Sequence, residues 1–289
     1  MIPALTILDG AIGTALRARG VRVRDYKSSL WSALACVEAP AAVAQLHLDY
    51  IRAGAHVITL NNYAITPVLL AREGRQSELE ALIDATARCA HQARREADLP
   101  VEIAGSLPPL NTSYAAELVD SFANNPTTYR RLVAALNPHV DLFLCETMST
   151  AEEASAAATA AQESGKPYLV SWTIERSGSA LRGGDTFDAA LAALAHLSPR
   201  ALLVNCASTN AVSAALPALR QLTTLPLGAY ANPISEEPEG GEPLRTIDRP
   251  LTPAQYARVA RGWMDAGATV IGGCCDTDPT YIAELSALA

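Results

Sequence analysis

"ATVIGGCCDTDP", residues 268–279, decides the fold. It opens as a short β-rich apolar run, passes through a turn carrying two adjacent cysteines, and reaches Pro279, which suits the first turn of a helix. Seven similar strand-like runs precede it: "LTILD" (5–9), "HVITL" (56–60), "VEIAGS" (101–106), "VDLFLCE" (140–146), "YLVSWT" (168–173), "ALLVNC" (201–206) and "PLGAYA" (226–231). Helical periodicity follows each run, in 40–53, 77–97, 127–136, 149–164, 186–196, 210–221, 252–266 and 279–288. Ser149 and Thr252 suit N-caps, Pro40 and Pro253 suit first turns, and Gly54, Gly165 and Gly267 suit C-terminal stops. Eight βα units are the number at which a parallel sheet closes on itself, whereas doubly wound sheets usually stop nearer six. The expected fold is α/β, a single (β/α)8 TIM barrel. No repeat or linker divides the chain, so one domain is expected over residues 1–289. The Gly/Pro/Glu-rich segment 232–250 reads as one long loop after the seventh strand.

Composition supports an ordinary globular enzyme. Of 289 residues, 49% are hydrophobic and 18% charged, enough to build a large core. The net charge of −8 argues against nucleic-acid binding, which favours basic surfaces. The opening "MIPALTILDGAIG" lacks a basic stretch followed by a long apolar one, and no run approaches the ~20 residues that span a bilayer. A cytoplasmic protein acting on small molecules is therefore expected, with no membrane partner; the sequence leaves the oligomeric state open. Six cysteines are too sparse for a disulfide framework in a chain of this length.

In barrels of this kind the chemistry sits at the C-terminal ends of the strands. Reading those ends gives Asp9, Asn61, Asn62, Ser106, Glu146, Trp172, Cys206, Tyr230 and the Cys274–Cys275 pair. Strand eight closes beside strand one and strand six lies two places away, so three thiols converge on one mouth. Three cysteines with an open fourth position fit tetrahedral Zn²⁺. Gly272 and Gly273 are expected to allow the sharp bend that aims adjacent residues at one point. The competing reading, cysteines as small buried hydrophobes, suits Cys36, Cys89 and Cys145. Vicinal disulfide chemistry at 274–275 is a further alternative.

Three thiolates leave a divalent centre with net charge −1. Such a centre acidifies water less than a neutral three-histidine site does, and it suits a substrate thiol that must stay nucleophilic once deprotonated. Asp9 and Glu146 stand where the ammonium of an amino-acid substrate can be received. Each also has a structural reading, Asp9 as an N-cap and Glu146 as a first-turn acid.

These motifs together resemble the homocysteine S-methyltransferase family. "LDGAIGTAL" (8–16) is similar to its Asp-Gly-x-x-Gly-Thr opening. "LWSA" (30–33), "HLDYIRAGAHVITLNNYAIT" (47–66), "GSLPPL" (105–110), "ETM" (146–148), "VNC" (204–206) and "GGCC" (272–275) follow in the family's order across nearly the whole chain. The resemblance implies a barrel in which Cys206, Cys274 and Cys275 bind zinc while Asp9 and Glu146 hold the homocysteine amino group; Asn61 and Trp172, at strand ends, are further candidates for substrate binding. An onium donor (S-methylmethionine, S-adenosylmethionine or a betaine-like cation) then methylates the thiolate, giving methionine. Three positions depart from the family: Asn62 stands where Thr is common, Ala64 where Gln is common, and Asp276 where Gly commonly follows "GGCC".

On the donor side, Trp31, Tyr63, Tyr114, Trp172 and Tyr230 are candidates to face a cation, since aromatic rings attract onium groups. The segment "ERSGSALRGGDTF" (175–187) reads either as a lid or as a solvated connector. The five histidines show no paired ligand spacing, and no Walker loop, nucleophile elbow or dinucleotide fingerprint is present. Three alternatives stay open: methylation of another thiol or selenol, a barrel zinc hydrolase, and a non-catalytic barrel that holds zinc or senses redox state.

Overall fold

The computed structural model describes residues 5–25, 30–119, 125–237 and 250–289. Eight parallel strands form one sheet: β1 (Thr6–Ile7), β2 (Val57–Thr59), β3 (Glu102–Leu107), β4 (Leu142–Met148), β5 (Tyr168–Trp172), β6 (Ala201–Asn205), β7 (Leu227–Ala231) and β8 (Ala268–Gly273). Their order is β1-β8-β7-β6-β5-β4-β3-β2. The remaining seam narrows where Leu8 bridges Val57 in parallel, flanked by Asp9 N donating to Val57 O at 3.0 Å and His56 N to Ile7 O at 2.8 Å. The result is the α/β barrel that the eight runs predict.

Strand alternation explains the two cores. Leu8, Val57, Ala104, Leu142, Leu144, Leu169, Leu203 and Val270 fill the barrel interior. Their neighbours of opposite parity, such as Ile58, Phe143, Val170, Val204 and Ile271, join the larger layer that includes the buried faces of the helices. Glu146 continues the inward series of Leu142 and Leu144. Trp172 continues the outward series of Tyr168 and Val170.

The helices follow the sequence signals closely. Pro40, Pro253 and Pro279 each open a helix, and Gly54, Gly165 and Gly267 take φ of 101°, 77° and 95° just past helix ends. Thr252 forms a capping box with Gln255. The cap expected at Ser149 is one residue late: Thr150 has the extended backbone, and its hydroxyl accepts from Glu153 N. Short helices at Gly13–Ala18, Ala35–Glu38 and Pro67–Arg72 are too brief to show a period in the sequence.

Of the loop expected at 232–250, residues 238–249 lie outside the described residues. Segment 175–187 is folded onto the barrel mouth. Leu181 bridges Ile174 and is wholly buried, and Gly183 N donates to Ser149 O at 2.8 Å. Among the described residues no helix is long and apolar enough to cross a membrane.

Closure depends on a missing side chain. A Cβ on Gly272 would stand 2.6 Å from Leu8 Cβ, so β1 and β8 can pair at this level only because Gly272 lacks one. Gly262, exposed on the helix Pro253–Asp265, would meet nothing within 4 Å. Gly272→Ala is expected to destabilise the protein by about 1–3 kcal/mol through overpacking. Gly262→Ala is expected to stabilise it by roughly 0.5–1 kcal/mol. Urea unfolding of the two variants checks both signs.

Candidate metal centre and substrate cavity

A cavity of about 180 Å³ opens at the C-terminal mouth, lined by Asp9, Trp31, Asn61, Tyr63, Tyr114, Glu146, Tyr230 and the three cysteines. The sulfurs of Cys206, Cys274 and Cys275 all lie within 4.8 Å of one another, with Cys206 and Cys275 at 3.7 Å.

Local backbone geometry produces this convergence. By strict alternation Cys206 would follow Leu202 and Val204 outward. Its left-handed backbone, φ 53°, turns it away from that series. The adjacent pair is placed by a tight turn in which Thr277 N donates to Cys274 O at 3.3 Å and the third residue, Asp276, has φ 58°. That third position of a type II turn favours Gly, and Asp is among the residues that tolerate left-handed backbone best. The bend therefore lies at Asp276 and not at the glycines before it. Gly272 and Gly273 serve close approach: a Cβ on Gly273 would fall 2.2 Å from Thr277 Oγ1. Asp276 does not cap the last helix either, since Asp278 does so by accepting from Thr280 N.

Hydrogen bonds from Cys274 and then Cys275 hold the Cys206 thiol well below the ordinary thiol range. The same contacts with Cys206 push Cys274 and Cys275 up. The cluster thus centres on one proton-poor sulfur, and Cys274 and Cys275 are partly exposed on the cavity side. Three converging sulfur donors with one open approach suit a tetrahedral metal ion. Cys36, Cys89 and Cys145 are buried elsewhere, and burial pushes Cys36 up to about 12.

The carboxylates stand on the same cavity. Asp9 accepts from Thr59 N at 2.8 Å and from Thr59 Oγ1 at 3.3 Å. Burial outweighs those bonds and pushes it up to about 8, with the charge of Glu146 adding to the shift. Glu146 accepts from Ser106 Oγ at 2.5 Å and from Tyr230 OH at 3.5 Å, and burial pushes it up to about 7. The register of β4 against β5 shifts between Cys145 and Met148, with Thr147 at φ 63°, so the strand is irregular at this carboxylate. A buried and a half-buried acid, with no cation paired to either among the described residues, form a site that gains from receiving a positive group.

Asn61 lines the cavity, but both ends of its amide are used: Nδ2 donates to Ser32 O and Oδ1 accepts from Ser32 Oγ, each at 2.9 Å. It ties the Trp31 loop to β2. Trp172 does not reach the cavity. It is wholly buried in the outer apolar layer, because β5 alternation directs Tyr168, Val170 and Trp172 outward. Trp31, Tyr63, Tyr114 and Tyr230 do line the cavity, with Trp31 and Tyr63 in an edge-on pair. Residue types alone gave no role to Asn205, Asn232 or Ser106. Asn205 Oδ1 accepts from Thr147 N and Ser171 Oγ, and Asn232 Oδ1 accepts from Cys275 N at 3.1 Å. The available signal was position, since Asn205 directly precedes a candidate ligand in "VNC".

Fold and site define a (β/α)8 barrel whose mouth carries a three-cysteine cluster suited to a metal, beside the carboxylates of Asp9 and Glu146. Residues 6–289 match the family model described as homocysteine S-methyltransferase, and the chain belongs to that family. It is 32% identical to the homocysteine S-methyltransferase of Escherichia coli, over 98% of this chain and 94% of that one. Identity to homocysteine S-methyltransferase YbgG of Bacillus subtilis is 28%, over 99% and 94%. The crystal structure of the E. coli homocysteine methyltransferase MmuM in its metallated form superposes with a TM-score of 0.81 at 33% identity, covering 99% of this chain and 96% of that one.

The raised carboxylates have a measurable consequence. Between about pH 4 and pH 8 the unfolded chain releases the Asp9 proton that the folded, metal-free chain retains, so stability falls as pH rises through that window. Glu146 adds to the fall up to about pH 7. The urea midpoint of metal-free protein is expected to drop from about pH 5 to about pH 8, and Asp9→Asn to flatten the drop. An unchanged slope in the variant would show that Asp9 ionises normally.

Proposed function

We propose that this chain, one cytoplasmic barrel domain over residues 1–289, transfers a methyl group from an onium donor to the thiolate of homocysteine, with zinc held by Cys206, Cys274 and Cys275. The observation that carries the reading is the sharing of one cavity by the sulfur cluster and the Asp9–Glu146 pair. A bond of about 2.3 Å from zinc to sulfur gives a tetrahedron with edges of about 3.8 Å. The 3.7 Å between Cys206 and Cys275 fits such an edge. When bound, zinc supplies the acidity that takes homocysteine from thiol to thiolate near neutral pH.

The chain's own residues do the rest. Asp9 and Glu146 receive the substrate ammonium, and its charge favours their ionised forms. Ser106 and Tyr230 hold the Glu146 oxygens in place for that contact. Trp31, Tyr63, Tyr114 and Tyr230 wall the remaining space; their faces attract an onium donor, by roughly 0.5–2 kcal/mol for a good contact. In the transfer the methyl carbon bonds to the homocysteine sulfur as its bond to the donor heteroatom breaks. The electron pair of the broken bond returns to the donor, which leaves neutral, and the thiol proton has already passed to solvent.

Zinc content and methionine formation, measured on purified protein with homocysteine and a panel of onium donors, test the proposal. One equivalent of zinc with turnover on one donor is expected. Zinc without turnover on any donor would move the reaction to another thiol or selenol. Glu146→Gln is expected to keep its zinc and raise KM for homocysteine roughly 10–100-fold, the equivalent of losing one charged hydrogen bond. An unchanged KM would remove Glu146 from the substrate site.

A further inference from the structure

We propose that Tyr114 belongs to the metal centre as a hydrogen-bond donor to the Cys206 thiolate, and that Arg182, anchored on Glu237, positions it. The inference rests on the metal-binding reading of the three cysteines and adds to it two residues that cysteine and carboxylate spacing do not indicate.

The geometry begins at the Tyr114 hydroxyl, 2.7 Å from Cys206 Sγ. A metal-bound thiolate carries no proton, so the hydrogen in that contact belongs to the tyrosine. The sulfurs are not treated alike: Cys274 Sγ has the amide of Asn205 at 4.0 Å, while Cys206 has a phenol in close contact. Withdrawing charge from one of three thiolates leaves the metal more electron-poor at its open position, which strengthens its hold on an incoming substrate sulfur.

The loop is built at some cost to make this contact. Tyr114 has φ 66°, a left-handed backbone that disfavours any residue with a Cβ and persists where the surroundings enforce it. Contacts at the preceding residue and over the ring hold it here. The preceding residue is tied down by Ser113 Oγ with Tyr63 OH at 2.6 Å. The Arg182 guanidinium lies 5.0 Å from the Tyr114 ring centroid. Arg182 in turn donates to Glu237 Oε1 at 2.8 Å and to Thr173 Oγ1 at 3.3 Å.

The side chains of Arg182 and Glu237 are 16% and 3% exposed. A nearly dry ion pair of this kind holds its geometry far better than a surface pair. The connections after β3, β5 and β7 therefore meet at Arg182, and the junction bears on the metal-site sulfur through one ring.

Tyr114→Phe keeps the ring beneath Arg182 and removes only the donor. The test uses the holoenzyme with zinc, and again with cobalt(II) substituted for it. The variant is expected to load one equivalent of metal, to surrender zinc to a chromophoric chelator about 10–100-fold more readily, and to show its sulfur-to-cobalt charge-transfer band at lower energy. Arg182→Met should move both readouts the same way by less, and Arg182→Lys should restore most of the change. A purely structural role for Tyr114 would move the melting temperature without moving the band. If wild type shows the band and Tyr114→Phe leaves band and zinc release unchanged, this inference is overturned and the metal centre stands. If wild type itself shows no band, both are overturned.

Discussion

The close approach of β8 to β1 at Gly272 is the constraint on which the rest depends. Eight strands can return to their starting point only if the last lies against the first, and here that contact leaves no room for a single carbon between Gly272 and Leu8. Closure fixes where β8 ends, and the turn at 274–277 then delivers two sulfurs beside the one at the end of β6. A looser seam would shift Cys274 and Cys275 relative to Cys206. A sulfur edge near 3.7 Å needs a closed barrel more than it needs any one side-chain contact.

The mouth so formed holds two groups whose burial is unfavourable in isolation. The sulfur cluster is proton-poor at Cys206, and Asp9 and Glu146 are pushed up toward neutrality by desolvation. Both tensions relax when ligands arrive, because a divalent ion compensates thiolates and an ammonium compensates carboxylates. An amino acid bearing a thiol meets both demands with one molecule. On the function proposed above, such a substrate would relieve both, and the pairing would favour a thiol amino acid over a simple thiol.

Much of this was legible in the sequence, and for a physical reason. Strand ends in a barrel face one mouth, so listing the residues that follow each apolar run found the three cysteines and both acids without coordinates. What alternation alone could not supply was backbone departure from it. Cys206 faces the cluster through a left-handed φ, and the Cys274–Cys275 pair through a turn centred on Asp276; neither shows in an alternation of residue types. The assignment of Trp172 failed in the opposite way. It stands at a strand end, but parity with Tyr168 and Val170 directs it outward. The roles of Asn205 and Asn232, and the contact of Tyr114 with Cys206, are not legible because they join residues far apart in the chain.

Two of the departures from the resemblance, Asp276 and Asn62, are accommodated away from the cavity surface. Asp276 occupies a left-handed turn position where a glycine costs nothing, and the turn still forms, so the cysteines it serves keep their places. Asn62 is wholly buried and clamps β2 to β3, with Oδ1 accepting from Ser106 N and Nδ2 donating to Ser106 O. Ser106 is the residue whose hydroxyl holds Glu146. The longer amide therefore acts through the strand that supports the carboxylate, while Asn61 and Tyr63 line the cavity.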